Sequence, residues 1–375
     1  MKALVVCCDR IPTRLLGCYG SEWTETPTID RLAAEGVVYD EVYATSLRQG
    51  GSADEFVDRL SRRPLGLQIR LLSDRASPAE STAQSSTFWE SPPASIVRGI
   101  ANVPLDRVLS DPYRRVPSIN HPEFRKWIDR WRRQIACDDA KDPPPDSCES
   151  LFAMAAAAWD EHADADHFLL WLNVSLADAD WAPPKNWRDR RLGDADAPAS
   201  LIDPIPGLVG QLYSKDDVER VAEGWVDRLA YFDALLGALV QSIEESSEEP
   251  PILVFFAEQG EPLGEHGVVG PHPDGPRSAR RKELTTSSDV AEMIATWFSE
   301  IGPTIAERST EERWAIRCRL QSATLLLTHW WKLIEDVDRV GLYSRRDDFL
   351  DMNDLSIRSP AIVDDLQAVL RNLDD

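Results

Sequence analysis

The sequence has no apolar run of the length found in membrane-spanning helices. Crossing a bilayer takes about 20 consecutive apolar residues, whereas the first apolar run extends only from Ala3 to Cys8. That run continues into Pro12 and a predicted turn, without the charged start and small-residue cleavage site of a secretory signal. We therefore expect a cytoplasmic protein that has no membrane partner.

The sequence also has no cysteine pattern of the kind that holds a metal or builds a disulfide framework. Its six cysteines include no CxxC pair and no metal-type spacing. Cys7 and Cys8 are adjacent in a predicted strand, so their side chains point to opposite faces and are poorly placed to bridge each other. The sequence therefore predicts reduced, mostly buried thiols.

The chain has fewer basic than acidic side chains. The chain has 41 basic and 64 acidic side chains, which gives a net charge of −23. A surface of this sign repels nucleic acid and anionic membranes, so we expect neither as a partner. The 375 residues, 43% hydrophobic and 28% charged, are typical of a folded globular protein with one large domain and an appendage, or with two ordinary domains.

Strand and helix patterns alternate along the chain. Continuous apolar runs at 167–175 and 252–257 predict buried strands of a parallel sheet. Apolar residues at three-to-four spacing over 216–243 predict a long amphipathic helix. Shorter helices are predicted at 27–36, 124–135 and 147–162. This alternation favours an α/β fold with a mainly parallel sheet and helices on both of its faces.

The helix predicted at 27–36 has recognisable boundaries. Thr26 or Thr28 is a candidate N-cap, Pro27 lies in the first turn, and Gly36 ends the helix. The following stretch, 37–44, is rich in β-formers and predicts a return to the sheet.

The pattern changes from about residue 320. The stretches ATLLLTHWWKLI and GLYS predict short antiparallel strands, and 360–373 predicts a terminal helix. We therefore predict a core α/β domain over residues 1–315 and a small α+β subdomain over residues 316–375.

The first strand ends on Asp9 and Arg10. A carboxylate at the C-terminal end of a buried strand is a common element of α/β active sites. An arginine directly after it is unexpected, because the two side chains carry opposite charges at a position where ligands converge.

Two longer stretches carry a resemblance to a known family. LLGCYG and TPTIDRLAAEGVVYDEVYATS follow the first strand, and ILVFFAEQGEPLGEHG spans residues 252–267. Together they resemble the sulfatase family of the alkaline-phosphatase-like superfamily. The resemblance covers nearly the whole chain, although residues 50–150 match loosely. It implies an alkaline-phosphatase-like α/β fold with a small C-terminal antiparallel subdomain.

The resemblance also implies a type of chemistry. In that family a divalent cation, usually calcium, is held by oxygen ligands from two strand ends and stabilises charge on a sulfate ester. The nucleophile lies in a Cys/Ser-x-Pro-x-Arg motif and is matured to formylglycine. Basic residues and histidines bind the sulfate and protonate the leaving group.

The chain departs from that pattern at the metal positions. Aligned through LLGCYG, the family's Asp-Asp pair becomes Asp9 and Arg10. Aligned through GEPLGEHG, its Asp-His or Asp-Asn pair becomes Glu258 and Gln259. The expected cofactor is therefore none, with one calcium ion as the alternative if Asp9 and Glu258 still bind metal.

The catalytic positions depart as well. Gln49 stands where the family has its nucleophile, and Ala53 stands where it has the motif's arginine, although Ser52 survives between them. Pro271 replaces a lysine, and no histidine follows the strand at 167–175. We expect no intact catalytic residue. Arg10 and His266 are the candidate anion-binding residues.

Arg10 has a candidate role in this altered site. A guanidinium among metal ligands repels a dication, but its forked donors neutralise carboxylates well. We therefore predict that Arg10 pairs with Asp9 or Glu258 and substitutes internally for the missing cation.

Three interpretations follow. The favoured one is a non-catalytic sulfatase homologue, a pseudoenzyme with a binding, regulatory or assembly role. The second is a metal-dependent hydrolase of sulfate or phosphate esters with an altered site. The third is a structural partner of an active relative. The partner predicted from the sequence is a protein or an anionic small molecule, and its identity stays open.

Overall fold

The computed structural model describes the elements that build the core and the C-terminal subdomain. The described residues are 1–39, 42–43, 67–74, 90, 104–110, 124–140, 147–177, 183–188, 190, 201, 207–263, 268–269, 285–286, 290, 294, 315–319, 323–337, 339–345, 348 and 353–372. None of the helices within these ranges is both long and apolar enough to span a bilayer.

The main sheet has four parallel strands in the order β3–β4–β1–β6. They are β1 (Lys2–Ile11), β3 (Gln68–Ser73), β4 (Phe168–Val174) and β6 (Ile252–Gly260). Because all four run in one direction, their C-terminal ends meet at one edge. The mainly parallel sheet predicted from the sequence is confirmed.

Helices form at all five predicted positions, and two further short helices, at 105–109 and 185–188, were not predicted. They are α1 (Pro27–Glu35), α2 (Leu105–Leu109), α3 (Phe124–Asp138), α4 (Ser147–Glu161), α5 (Lys185–Arg188), α6 (Lys215–Ser246) and α7 (Pro360–Asn372). The long helix α6 begins at a capping box in which Ser214 and Asp217 each accept from the other's backbone N–H.

Both faces of the main sheet are covered. Cys8 belongs to the larger apolar cluster, which includes residues of α4 and α6 such as Leu151 and Phe232. Cys7 belongs to a second cluster on the opposite face, which includes the helical residue Ile294. The adjacent cysteines therefore lie on opposite faces as predicted, and both are free thiols.

Within the strand expected over 37–44, the described residues 37–39 are not in a strand. The described residues 42 and 43 form β2 (Val42–Tyr43), which pairs with β8 (Thr285–Thr286) rather than with the main sheet. Two other short strands, β5 (Gly207–Leu208) and β7 (Val268–Val269), pair with each other. The propensity of Val37 for a strand is overridden, and its side chain is exposed.

The C-terminal subdomain has four antiparallel strands in the order β12–β11–β10–β9. They are β9 (Ala315–Arg319), β10 (Ala323–Thr328), β11 (Trp331–Asp336) and β12 (Val340–Ser344). Leu366 and Leu370 of α7 pack on one face of this sheet, against Leu326 and Leu333. The small antiparallel subdomain is as predicted. The division at residues 315 and 316 stays a prediction.

The start of α1 is capped by another helix. Asp233 of α6 accepts hydrogen bonds from the backbone N–H groups of Thr28, at 3.0 Å, and Ile29, at 2.8 Å. Thr26, a predicted cap, makes no capping bond, because its hydroxyl accepts from Gly17 N instead. Close packing allows this arrangement: a Cβ on Gly237 of α6 would lie 2.6 Å from the Thr28 hydroxyl oxygen.

Replacing Asp233 with alanine should lower the free energy of unfolding by about 2 kcal/mol, because two buried N–H groups lose their acceptor. Chemical denaturation monitored by circular dichroism measures the change. The matched control is Asp364→Ala, at an exposed position of α7, which should change stability by less than about 0.5 kcal/mol. Equal effects of the two substitutions would contradict the assigned capping role.

Candidate functional site

The candidate site lies where the four parallel strands end. In the register of β1 and β6, Arg10 lies opposite Gln259 and Ile11 lies opposite Gly260. Asp9 and Glu258, the preceding residues of the two strands, are both buried. The structure thus brings together the two strand ends that the sequence analysis named as degenerate metal positions.

Asp9 is held by backbone donors. Its Oδ1 accepts from Arg10 N at 2.8 Å and from Ala177 N at 3.1 Å, and the residue is only 5% exposed. Hydrogen bonds of this kind favour the ionised form of a buried carboxyl group. Asp9 therefore has charge-stabilising partners that do not require a metal ion.

The peptide group between Leu176 and Ala177 links Asp9 to a buried arginine. Its N–H donates to Asp9, while its carbonyl oxygen accepts from Arg228 Nη1 of α6 at 2.8 Å. Arg228 is 2% exposed. The cation and the anion thus lie at opposite ends of one peptide dipole, and each strengthens the hydrogen bond that the other makes.

A third side chain holds the same turn. Asp74, the residue after β3, accepts from Ser175 N at 2.8 Å. The turn at 175–177 is therefore fixed by side chains from β1, α6 and the end of β3. Sequence reasoning did not identify Asp74 or Arg228. The available signals were an acidic residue directly after a strand and an arginine within an apolar helix face.

Arg10 makes an ion pair with a carboxylate that the sequence analysis did not name. Its Nη1 lies 3.3 Å from Glu261 Oε2, and the two side chains are 8% and 3% exposed. Asp9 and Glu258 were the expected partners. Side chains alternate along a strand, so Arg10 shares its face with Gln259 and the residue two positions further on, which is Glu261.

A second arginine fixes the same segment. Arg14 Nη2 donates to the carbonyl oxygen of Leu263 at 2.8 Å. Arg10 and Arg14 together attach the segment 261–263, which follows β6, to the end of β1 and the turn after it. This segment is therefore anchored both through a side chain and through its backbone.

The pKa values of the two buried thiols just before Asp9, Cys7 and Cys8, are raised. Burial raises the pKa of Cys7 well above its usual value, and the negative charges of Glu258 and Asp9 raise it further. Burial likewise raises the pKa of Cys8, followed by the charges of Asp9 and Asp74. The carboxylates at the strand ends thus contribute to the raised pKa values of both thiols.

The described residues do not fit a calcium ion. Within the described ranges, no group of three or more His, Cys, Asp or Glu side chains converges in a way that could hold a metal. Asp9 Oδ1 already accepts two N–H groups, and a guanidinium occupies the neighbouring position. Two unit charges 4 Å apart at an effective dielectric of 20 interact by about 4 kcal/mol, which here would oppose a cation.

Four other predicted positions lie outside the described residues. These are Gln49, Ser52 and Ala53 of the nucleophile segment and His266 of the turn after β6. Their identities are established by the sequence alone.

Comparison with known proteins identifies the fold. No family model and no curated protein sequence matches the chain. Among solved structures, the phosphonate monoester hydrolase of Agrobacterium radiobacter is similar, with a TM-score of 0.65 and 12% identity over 99% of this chain and 95% of that one.

Two further solved structures have the same architecture. A 2-O GAG sulfatase gives a TM-score of 0.57 at 12% identity, over 99% of this chain and 91% of that chain. A protein in complex with its substrate D-glucosamine-2-N,6-O-disulfate gives 0.61 at 13% identity, over 99% and 96%. These similarities confirm the alkaline-phosphatase-like, sulfatase-like fold predicted from the sequence motifs.

Cys7 and Cys8 should resist alkylation by iodoacetamide in the folded protein, from neutral pH to about pH 9. Their raised pKa values keep them as neutral thiols over this range, and both are fully buried. Cys137 is partly exposed and is the internal control. Peptide mapping by mass spectrometry measures the modification. Labelling of Cys7 as fast as Cys137 would contradict the buried, anionic environment.

Proposed function

We propose that this chain is a non-catalytic member of the sulfatase family, in which Arg10 takes the place of the metal ion. The observation that carries the proposal is the buried ion pair between Arg10 and Glu261 at 3.3 Å. The protein then acts by binding an anionic small molecule or a protein partner, in a regulatory or assembly role.

The neutralisation of the strand-end carboxylates supports this proposal. Glu261 is paired with a guanidinium, and Asp9 accepts two backbone N–H groups. A buried charge is strongly unfavourable unless it is paired or hydrogen-bonded. These groups have partners within the protein, so their burial does not depend on a dication.

The sequence at the nucleophile position supports it independently. Gln49 and Ala53 stand at two positions that the family chemistry requires. An amide side chain is not a nucleophile of the hydroxyl, thiol or amine type used in covalent catalysis. Losing a single charge-stabilising group typically costs about 3–4 kcal/mol of transition-state stabilisation, so the combined losses leave little basis for turnover.

The setting proposed for this function is the cytoplasm. The buried free thiols Cys7 and Cys8 are compatible with a reducing compartment. The net charge of −23 supports the proposal that nucleic acid and anionic membranes are not partners.

Purified full-length protein should contain no stoichiometric metal and should show no heat on titration with calcium. Elemental analysis and calorimetry measure these two quantities. Binding of one calcium ion per chain that Asp9→Ala abolishes would overturn the proposal. Turnover of sulfate or phosphate esters by that metal-loaded protein would instead establish the alternative, a metal-dependent hydrolase with an altered site.

The variant Arg10→Ala tests the same proposal in the opposite direction. Removing one partner of a buried pair typically costs about 3–5 kcal/mol. Added calcium should then recover part of the lost stability of the variant, raising its melting temperature by about 2 °C or more, while leaving the wild type unchanged. The control is Arg31→Ala, which removes an exposed ion pair with Glu244 and should show no dependence on calcium.

A further inference from the structure

We propose that the Arg10 guanidinium is a binding site for the carboxylate group of a ligand, and that Glu261 occupies this site when the ligand is absent. The inference rests on the proposed function in one respect: Arg10, rather than a metal ion, supplies the positive charge. It goes further in naming the ligand's chemical class and the residue that competes with it.

The donors of Arg10 are incompletely used. The residue is 6% exposed, and its Nε and Nη1 donate no hydrogen bond to any of the residues that the structure describes. In the ion pair with Glu261, Nη1 of Arg10 lies 3.3 Å from Oε2. A guanidinium binds a carboxylate best through two parallel N–H···O bonds, and a correctly oriented ligand carboxylate would provide them.

The surrounding charges select a monoanion. Asp9 and Glu258 are buried at the same strand ends, where they directly precede Arg10 and Gln259. A ligand carboxylate that displaces Glu261 adds one negative charge to the site, because Glu261 keeps its own charge. Sulfate or hydrogen phosphate would add a further negative charge next to these two carboxylates, which is unfavourable at low effective dielectric.

The exchange needs only a local movement. Glu261 directly follows the last residue of β6, Gly260. Two residues further on, the carbonyl of Leu263 is held by Arg14. Since the backbone is anchored on both sides of Glu261, the proposed exchange moves the Glu261 side chain and leaves the segment in place.

Chemical rescue of Glu261→Ala tests the inference. This variant lacks the internal carboxylate, so it should be less stable than the wild type, and added sodium acetate should raise its melting temperature by about 2 °C or more. Sodium chloride at the same ionic strength should have no such effect. The matched control is Glu248→Ala, an exposed glutamate after α6, whose stability should not depend on acetate.

The double variant Arg10→Met, Glu261→Ala shows whether the guanidinium is the acetate site. It should lose the response to acetate completely. A response that persists in this variant, or no response in Glu261→Ala, overturns the inference. Rescue by sulfate at lower concentration than acetate overturns the assignment of a monocarboxylate.

Glu261→Gln provides a test that does not depend on creating space in the core. Gln preserves the volume of the side chain but removes the charge that competes with a ligand. Labelled acetate followed by NMR should bind this variant at least about tenfold more tightly than the wild type. Equal affinities would contradict the role of Glu261 as a competitor.

Metal content separates this inference from the proposed function. If the wild type binds stoichiometric calcium, the proposed function fails, whatever the response to acetate. If the protein is free of metal and acetate has no effect on Glu261→Ala, only the carboxylate site fails.

Discussion

The buried guanidinium of Arg10 is the constraint on which the rest of the site depends. A charge that is removed from water needs a partner of opposite sign or a complete set of hydrogen bonds. Glu261 supplies the opposite charge from the end of the neighbouring strand, at 3.3 Å. A dication placed among the same side chains would face a fixed positive charge.

Asp9 shows how a strand-end carboxylate can stay buried without a metal. Two backbone N–H groups solvate it, and one of them belongs to a peptide whose carbonyl binds Arg228. The positive charge of Arg228 therefore acts on Asp9 through a peptide dipole. The parallel sheet makes this possible because it brings the ends of separate strands to one edge.

The sequence predicted the elements that depend on local periodicity, but not all contacts between them. The continuous apolar run of β6 and the three-to-four spacing in α6 identified both elements, and the motifs identified the strand ends that meet. The partner of Arg10 was missed because Glu261 lies beyond the predicted strand, on a face that depends on the register. Arg228 was missed because its contact with Leu176 spans 52 residues of sequence, and no local pattern encodes such a pairing.

The energetics of buried ion pairs bear on why charged side chains are buried at these strand ends. Replacing such a pair with apolar residues of similar volume is often neutral, or stabilising by about 1–4 kcal/mol. Stability alone therefore does not require Arg10 and Glu261 in the core, where one pair of aliphatic side chains would serve as well. Two nitrogens of the Arg10 guanidinium, Nε and Nη1, donate no hydrogen bond to any residue that the structure describes. The proposed recognition of a ligand carboxylate would account for a charged pair that packing does not require.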